Sequence, residues 1–299
     1  MTLFDIAYVG HYTKDTIVYP DATRTVDGGA FYYGCNVLAR LGLRAAVVTR
    51  LAREDWHVVE ELEQLGVRMF ARATPASTCL RLIYPTGNLD ERTIELTSSA
   101  GAFTVGEIAE INARAFIIGA SVRGEVPYDV VDALAAKDAI LVLDVQGFMR
   151  IVRDGTLVSD GWLDKASILS RVNILKTDAV EAQLLTGESD RRAAARQLAA
   201  YGAREVLLTH NGGVLVCHDG VIDEAPLIPR EVRGRSGRGD TCTAAYVARR
   251  LSRPPADALA WTAAVTSLKL EAEGPFRREM AEVEVLYRTL RERTATFKV

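Results

Sequence analysis

Along the first seventy residues, short apolar runs closed by glycine alternate with longer stretches whose apolar positions recur at helical spacing. FDIAYVG (residues 4–10) predicts a buried strand and a turn, GGAFYYGCNVLARLG a glycine-led helix closed by Gly42, and RAAVVTRL a second strand. EDWHVVEELEQLG then gives another helix with a terminal glycine, and VRMFAR a third strand. Such alternation predicts a parallel sheet covered by helices.

The rhythm changes between Thr74 and Ser99. STCLRLIYP and ERTIELTSS alternate apolar and polar residues at period two around the turn TGNLD. That pattern belongs to a hairpin with one wet face rather than to a buried parallel sheet. Together with the polar segment 12–27 it predicts a small β lid on a single domain spanning 1–299, the lid being formed by about 12–27 and 74–99. The α/β rhythm then returns, with FIIGA, AILVLDVQG, VNILK and REVLLTH as strands. VPYDVVDALAA, DAVEAQLLTG and SDRRAAARQLAAYG are the helices between them, and VLVCHDG with VIDEAPL makes a late hairpin. From Asp240 onward the pattern is helical, ending in a polar helix after Gly274-Pro275. No repeat, low-complexity stretch or linker interrupts this order.

Composition narrows the function. The 36 basic and 39 acidic residues leave a net charge of −3, which argues against nucleic acid as a partner. No apolar run approaches the roughly 20 residues of a membrane span, so no membrane association is expected. The N-terminal MTLFDIAYVG lacks a basic n-region and reads as a first strand, which points to a cytoplasmic protein. Cys35, Cys79, Cys217 and Cys242 are far apart, without a CxxC pair or a histidine at metal-ligand spacing, and read as free thiols in a reducing compartment.

The candidate chemistry concentrates in RGRSGRGDTCTAAYVARRL, residues 233–251. A glycine turn leads straight into a helix, so the backbone N–H groups around Gly237, Arg238 and Gly239 converge at a helix N-terminus and form an anion site. Asp240 has two readings: an N-cap, for which aspartate is favoured, or a base beside the anion site that takes a proton from a hydroxyl during phosphoryl transfer. The tripeptide Arg238-Gly239-Asp240 is also a cell-adhesion sequence, a reading that carries little weight without a secretory signal.

The stretch SGRGD resembles the Gly-Ala-Gly-Asp signature of the ribokinase (pfkB) family of sugar kinases. Gly237, Gly239 and Asp240 match, Arg238 stands where alanine is usual, and Gly234-Arg235 replaces an Asp-Thr pair. The resemblance runs along nearly the whole chain. GHYTKD matches the segment whose aspartate binds substrate hydroxyls, which implies that role for Asp15. DGGAFYYGCNVLARLG matches the first signature, implying substrate contact for Gly28, Gly29 and Tyr33, although Tyr33 replaces the usual asparagine. Tyr32-Tyr33 and LDVQGFMR are most similar to the myo-inositol kinases of the family, which implies substrate contact for Gln146 and phosphoryl contact for Arg150. LKTDAVEAQLLTG matches the Asn-x-x-Glu segment, implying that Asp178 and Glu181 order water around Mg²⁺. THNGG implies nucleotide contacts for Thr209, Asn211, Gly212 and Gly213.

What the resemblance implies is a three-layer α/β/α ribokinase-like fold with a mainly parallel central sheet and a small β-sheet lid. It implies ATP and Mg²⁺ as cofactors and transfer of the γ-phosphoryl group to a small polyhydroxylated substrate, first of all a cyclitol, then a sugar or nucleoside. Asp240 is then the base. A monomer or a homodimer is compatible with this reading. The rival is a protein of the same fold that binds a nucleotide or polyol without turning it over. A dinucleotide oxidoreductase is disfavoured because no G-x-G-x-x-G follows the first strand.

Overall fold

The computed structural model describes residues 2–86 and 91–298; positions 87–90 of the TGNLD turn lie outside the described residues. Sixteen strands appear in chain order: β1 Leu3–Val9, β2 Thr13–Val18, β3 Thr23–Gly28, β4 Ala45–Ala52, β5 Arg68–Thr74, β6 Thr78–Ile83, β7 Thr93–Ser98 and β8 Asn112–Ile118. Then come β9 Ile140–Asp144, β10 Arg150–Arg153, β11 Thr156–Ser159, β12 Ile174–Asp178, β13 Glu205–His210, β14 Gly213–His218, β15 Val221–Pro226 and β16 Ala295–Lys298.

Ten of them form one sheet in the order β16-β15-β14-β13-β12-β9-β8-β1-β4-β5. From β13 to β5 every pairing is parallel, and β14, β15 and β16 add an antiparallel edge. The parallel strands are apolar on both faces, as a sheet covered on both sides requires. Along β1, Ile6 and Tyr8 join one core cluster while Ala7 and Val9 join the other; β8 divides Ala115 and Ile117 from Phe116 and Ile118 in the same way. The first cluster packs under helices Ala30–Arg40, Arg238–Arg250 and Pro255–Leu270, the second under Tyr128–Ala135 and Arg191–Ala200. This is the three-layer α/β/α arrangement expected.

The other six strands form a smaller sheet, β10-β11-β7-β6-β2-β3. Two features differ from the expectation. First, β2 pairs with β6 in parallel, joining the hairpins 13–28 and 78–98 edge to edge. Second, the hairpin β10–β11 belongs to this sheet; its turn at Asp154-Gly155 has positive φ at both positions (52° and 79°), the geometry for which Asp-Gly is favoured. The wholly helical reading of the C-terminus also fails at its end, where β16 pairs with β15.

The small sheet is anchored where its strands leave the main one. His11 is fully buried, its Nε2 2.8 Å from the Gly101 carbonyl and its Nδ1 2.8 Å from Thr78 Oγ1, while its backbone N–H donates to Glu125 Oε1 at 2.7 Å.

Candidate active site

Asp240 sits at the third position of helix Arg238–Arg250, so the N-cap reading is incorrect: Gly237 occupies that place, in the left-handed region at φ 73°. Glycine is required there twice over, since a Cβ would lie 2.0 Å from the Tyr33 ring as well as strain the backbone. Of the three amides expected at the turn, that of Arg238 donates to the Arg235 carbonyl at 3.1 Å. No backbone carbonyl among the described residues takes those of Gly237 or Gly239. The turn therefore presents two amides and the positive end of a 13-residue helix.

Around Asp240 the sheet contributes charges from the C-terminal ends of its strands, where open α/β sheets place their sites. Burial, then the nearby Asp144, push the Asp240 carboxyl up to about 6, while Lys176 and Arg150 pull the other way. Asp144 ends β9, and Lys176, 3% exposed, lies on β12 beneath the helix N-terminus; a Cβ on Gly239 would meet its Nζ at 3.5 Å. Burial works against the Lys176 ammonium, but Asp144 and Glu181 outweigh it and hold its pKa above the ordinary value. Both residues escaped the sequence reading. Their signal was a charged side chain near the C-terminal end of an otherwise apolar strand.

Asp15, on β2, faces the same space from the small sheet. Burial pushes its carboxyl up to about 6 against opposing effects of Thr13, Arg150 and Arg92. Its Oδ1 is buried with no hydrogen-bond partner among the described residues. A buried carboxylate oxygen without a donor is costly, so this one is set up for a ligand hydroxyl. Gly28, paired with Thr13 on the neighbouring strand, has no room for a Cβ, which would lie 2.8 Å from Asp15 Oδ2 and 2.6 Å from Thr13 Oγ1. Gly29 caps helix Ala30–Arg40, and a Cβ there would lie 2.5 Å from the His11 carbonyl. Tyr33 spans the gap: its ring packs on Gly237, and both Asp15 and Asp240 add to burial in raising its phenol pKa.

Arg150 lies at the centre of this constellation. It starts β10, and its charge acts on both Asp15 and Asp240. Burial draws its pKa below the usual arginine value, and no described side chain pairs with the guanidinium. Arg92, from the small sheet, acts on Arg150 and Asp15 and donates to Tyr84 Oη at 3.3 Å; it too was missed. Gln146 begins the four-residue helix between Asp144 and Arg150, and its amide donates to Asp144 Oδ1 at 3.0 Å.

On the far side of Arg238 a polar groove is lined by Asp178, Ser189, Arg191, Thr209, His210 and Asn211. Asn211 and Gly212 make the tight turn between β13 and β14, and Gly213 is held against the Ala225 carbonyl at 2.6 Å from where its Cβ would be. Gly212 and Gly213 do not line the groove. Asp178 and Glu181 form a capping box, Asp178 Oδ1 accepting the Glu181 N–H at 2.9 Å and Glu181 Oε2 the Asp178 N–H at 2.8 Å. Burial, then Asp178 and Asp144, raise Glu181 to about 7.

Charges gathered at strand ends around a Gly-x-Gly-Asp helix start are the arrangement that the resemblance to sugar kinases implies. The chain belongs to the pfkB family of carbohydrate kinases, whose model matches residues 4–277. A pyrophosphate-dependent kinase of the ribokinase family, solved with a pyrophosphate analog and myo-inositol, is similar at TM-score 0.86 and 33% identity, covering 94% of this chain and 99% of its own. A pyrophosphate-dependent myo-inositol-1 kinase converted by two substitutions into a myo-inositol-3 kinase is 32% identical at the same TM-score, covering 96% and 99%. A cytidine kinase of Thermococcus kodakarensis is 25% identical over 260 residues, 82% of this chain and 88% of that protein. Membership in this family makes the protein a phosphotransferase.

Proposed function

We propose that the protein phosphorylates a hydroxyl of a cyclitol of the myo-inositol class. The observation that carries this reading is the buried Asp15 Oδ1 left without a protein donor, with Asp15 and Asp240 both raised and both acting on Tyr33. A carboxylate accepts two hydroxyl hydrogen bonds at once, so Asp15 suits a vicinal diol. Asp240 takes the proton of the attacking hydroxyl. The new oxygen–phosphorus bond forms as the bond to the leaving phosphate breaks, and the proton stays on the carboxyl. The amides of Gly237 and Gly239, with Arg150 and Lys176, offset the charge on the transferring group. The similarity to myo-inositol kinases supports the cyclitol over a nucleoside.

For the donor we propose inorganic pyrophosphate in place of ATP. The groove beyond Arg238 is lined mainly by polar and charged side chains, with Ala179 and Val180 its apolar members, whereas a nucleobase is best held between apolar or aromatic walls. Arg238 offers a cation to a diphosphate, beside Arg191, which pairs with Glu224 at 2.6 Å, and the two similar kinases described above are pyrophosphate-dependent.

The family also implies Mg²⁺. The described residues hold no cluster of three or more acidic, histidine or cysteine side chains fit for a metal. Mg²⁺ commonly takes one or two carboxylates and keeps its waters, and the oxygens of Asp178 and Glu181 outside the capping box suit that role. Bound there with the donor, the ion would neutralise phosphate charge.

The test is phosphate or ADP release with pyrophosphate or ATP, with Mg²⁺, over cyclitols, hexoses, pentoses and nucleosides. Wild type runs beside Asp15→Asn, for which the acceptor KM is expected to rise about 10-fold or more while the donor KM holds. Binding of both ligands without turnover, unchanged in Asp240→Asn, would favour the non-catalytic rival.

A further inference from the structure

Lys269 belongs to helix Pro255–Leu270 and is 2% exposed, yet no acid lies within ion-pair distance of it among the described residues. Its ammonium donates to the Gly234 carbonyl at 2.9 Å. That carbonyl begins the turn leading to Gly237 and Asp240. The end of the same helix holds the turn a second time, where the amides of Arg233 and Gly234 both donate to the Leu270 carbonyl, at 2.8 and 3.2 Å. Gly234 is seated so closely that a Cβ would lie 2.3 Å from the Ala272 carbonyl. Lys269 Nζ also stands 6.0 Å from the centroid of the Tyr33 ring, the ring that packs on Gly237. The lysine thus supports both the start of the anion turn and the aromatic wall facing Asp15.

We propose that Lys269 is a positioning residue of phosphoryl transfer: through the Gly234 carbonyl its ammonium holds the 234–237 turn so that the Gly237 and Gly239 amides meet the donor phosphate. A buried cation bonded to a carbonyl, rather than paired with an acid, is an expensive way to make a merely structural contact. A neutral donor or an apolar side chain would suffice for packing. The inference rests on the kinase reading above, since it assigns the turn to the donor phosphate.

The charged state of the tether provides a second handle. Burial draws the Lys269 pKa down to about 8, opposed by Asp240 on the neighbouring helix and by Glu273 just past its own. Glu273 is in turn held by Arg24 of β3, at 2.7 Å, and Tyr33 is the titratable side chain facing from helix Ala30–Arg40. Raising the pH through about 8 therefore strips the tether of its charge and weakens it, and an arginine at 269 would keep it charged.

Pyrophosphate binding by the full-length chain, measured by titration calorimetry at pH 7, compares wild type with Lys269→Met and Lys269→Arg. Lys269→Met is expected to weaken binding about 10-fold, the worth of one charge-assisted hydrogen bond, and Lys269→Arg to recover most of it. In turnover, the alkaline limb near pH 8 in wild type is expected to move upward by about two units or more in Lys269→Arg. Wild-type pyrophosphate affinity in a folded Lys269→Met chain overturns the proposal. So does an alkaline limb that stays in place in Lys269→Arg, and this arm decides if the methionine variant does not fold. Failure of the kinase reading is recognised separately: wild type would then turn over no acceptor, while calorimetry still reports on the tether.

Discussion

The two ends of helix Arg238–Arg250 handle buried charge in opposite ways. At the C-terminal end the buried Glu205 and the half-buried Asp257 are both matched. Glu205 accepts from Tyr246 Oη at 2.6 Å and from Arg250 at 3.0 and 3.1 Å, and Asp257 accepts from Arg249 at 2.8 Å and Tyr287 at 2.6 Å. At the N-terminal end, Asp240 meets another acid, Asp144, and a guanidinium, Arg150, that no described side chain pairs with. Donors pull the lightly buried Asp257 below the usual carboxylate range, while Asp240, on which burial weighs far more, rises to about 6. One end is finished by the protein; the other awaits a ligand. Raised carboxyls and unpaired cations gather where chemistry is done.

The contrast breaks most visibly at Asp240. Asp240→Asn is expected to lower kcat about 10³-fold. It is also expected to stabilise the fold by on the order of 2 kcal/mol at pH 8, because it removes a carboxylate whose ionisation is disfavoured in the folded chain. Steady-state kinetics and urea unfolding read the two effects, and a loss of stability with kcat kept would mean that the acid serves the fold rather than the chemistry. Arg150→Met is expected to cost about 10²-fold in kcat with little change in the melting temperature. At the other end the signs reverse. Glu205→Ala leaves Tyr246 and Arg250 without their acceptor and should cost about 3 kcal/mol of stability, with kcat unchanged where the chain is folded.

The mildest probe is pH. Asp240 must be ionised to act as a base, so kcat/KM is expected to rise through about pH 6. The same raised pKa means that the folded state holds more protons than the unfolded one between about pH 4 and 6. The Asp240 contribution to stability therefore falls as pH rises across that window. Asp15, also near 6, acts in the same direction, so a double Asn variant should flatten the slope.

Sequence made the alternating core legible because strands and helices have different periods and glycines close them. It also made Asp240 and Asp15 legible, since their motifs are local. Lys176 and Asp144 lie within LKTDAVEAQLLTG and LDVQGFMR, yet those motifs give neither a role; their meaning comes from neighbouring strand ends meeting in space. Lys269 was hidden more deeply, as one cation in an apolar helix 35 residues from the carbonyl it binds. The hairpin at 150–159 carried a readable Asp-Gly turn, but its strands are only four residues long and their partner, β7, lies far back in the chain. The N-cap expectation for Asp240 failed because an αL glycine, Gly237, took that position.

The small sheet is assembled from three separate excursions, which leave the main sheet after β1, β5 and β9 and are stitched together by the parallel β2–β6 rung. The Gly237–Asp240 turn lies in none of them. On the reading proposed above, the acceptor-facing Asp15 and the base Asp240 are thereby written on different stretches of the gene, joined by Arg150 of β10, so a lineage that changed β2 and β3 would retune which hydroxyl meets Asp240 while the catalytic turn stays fixed.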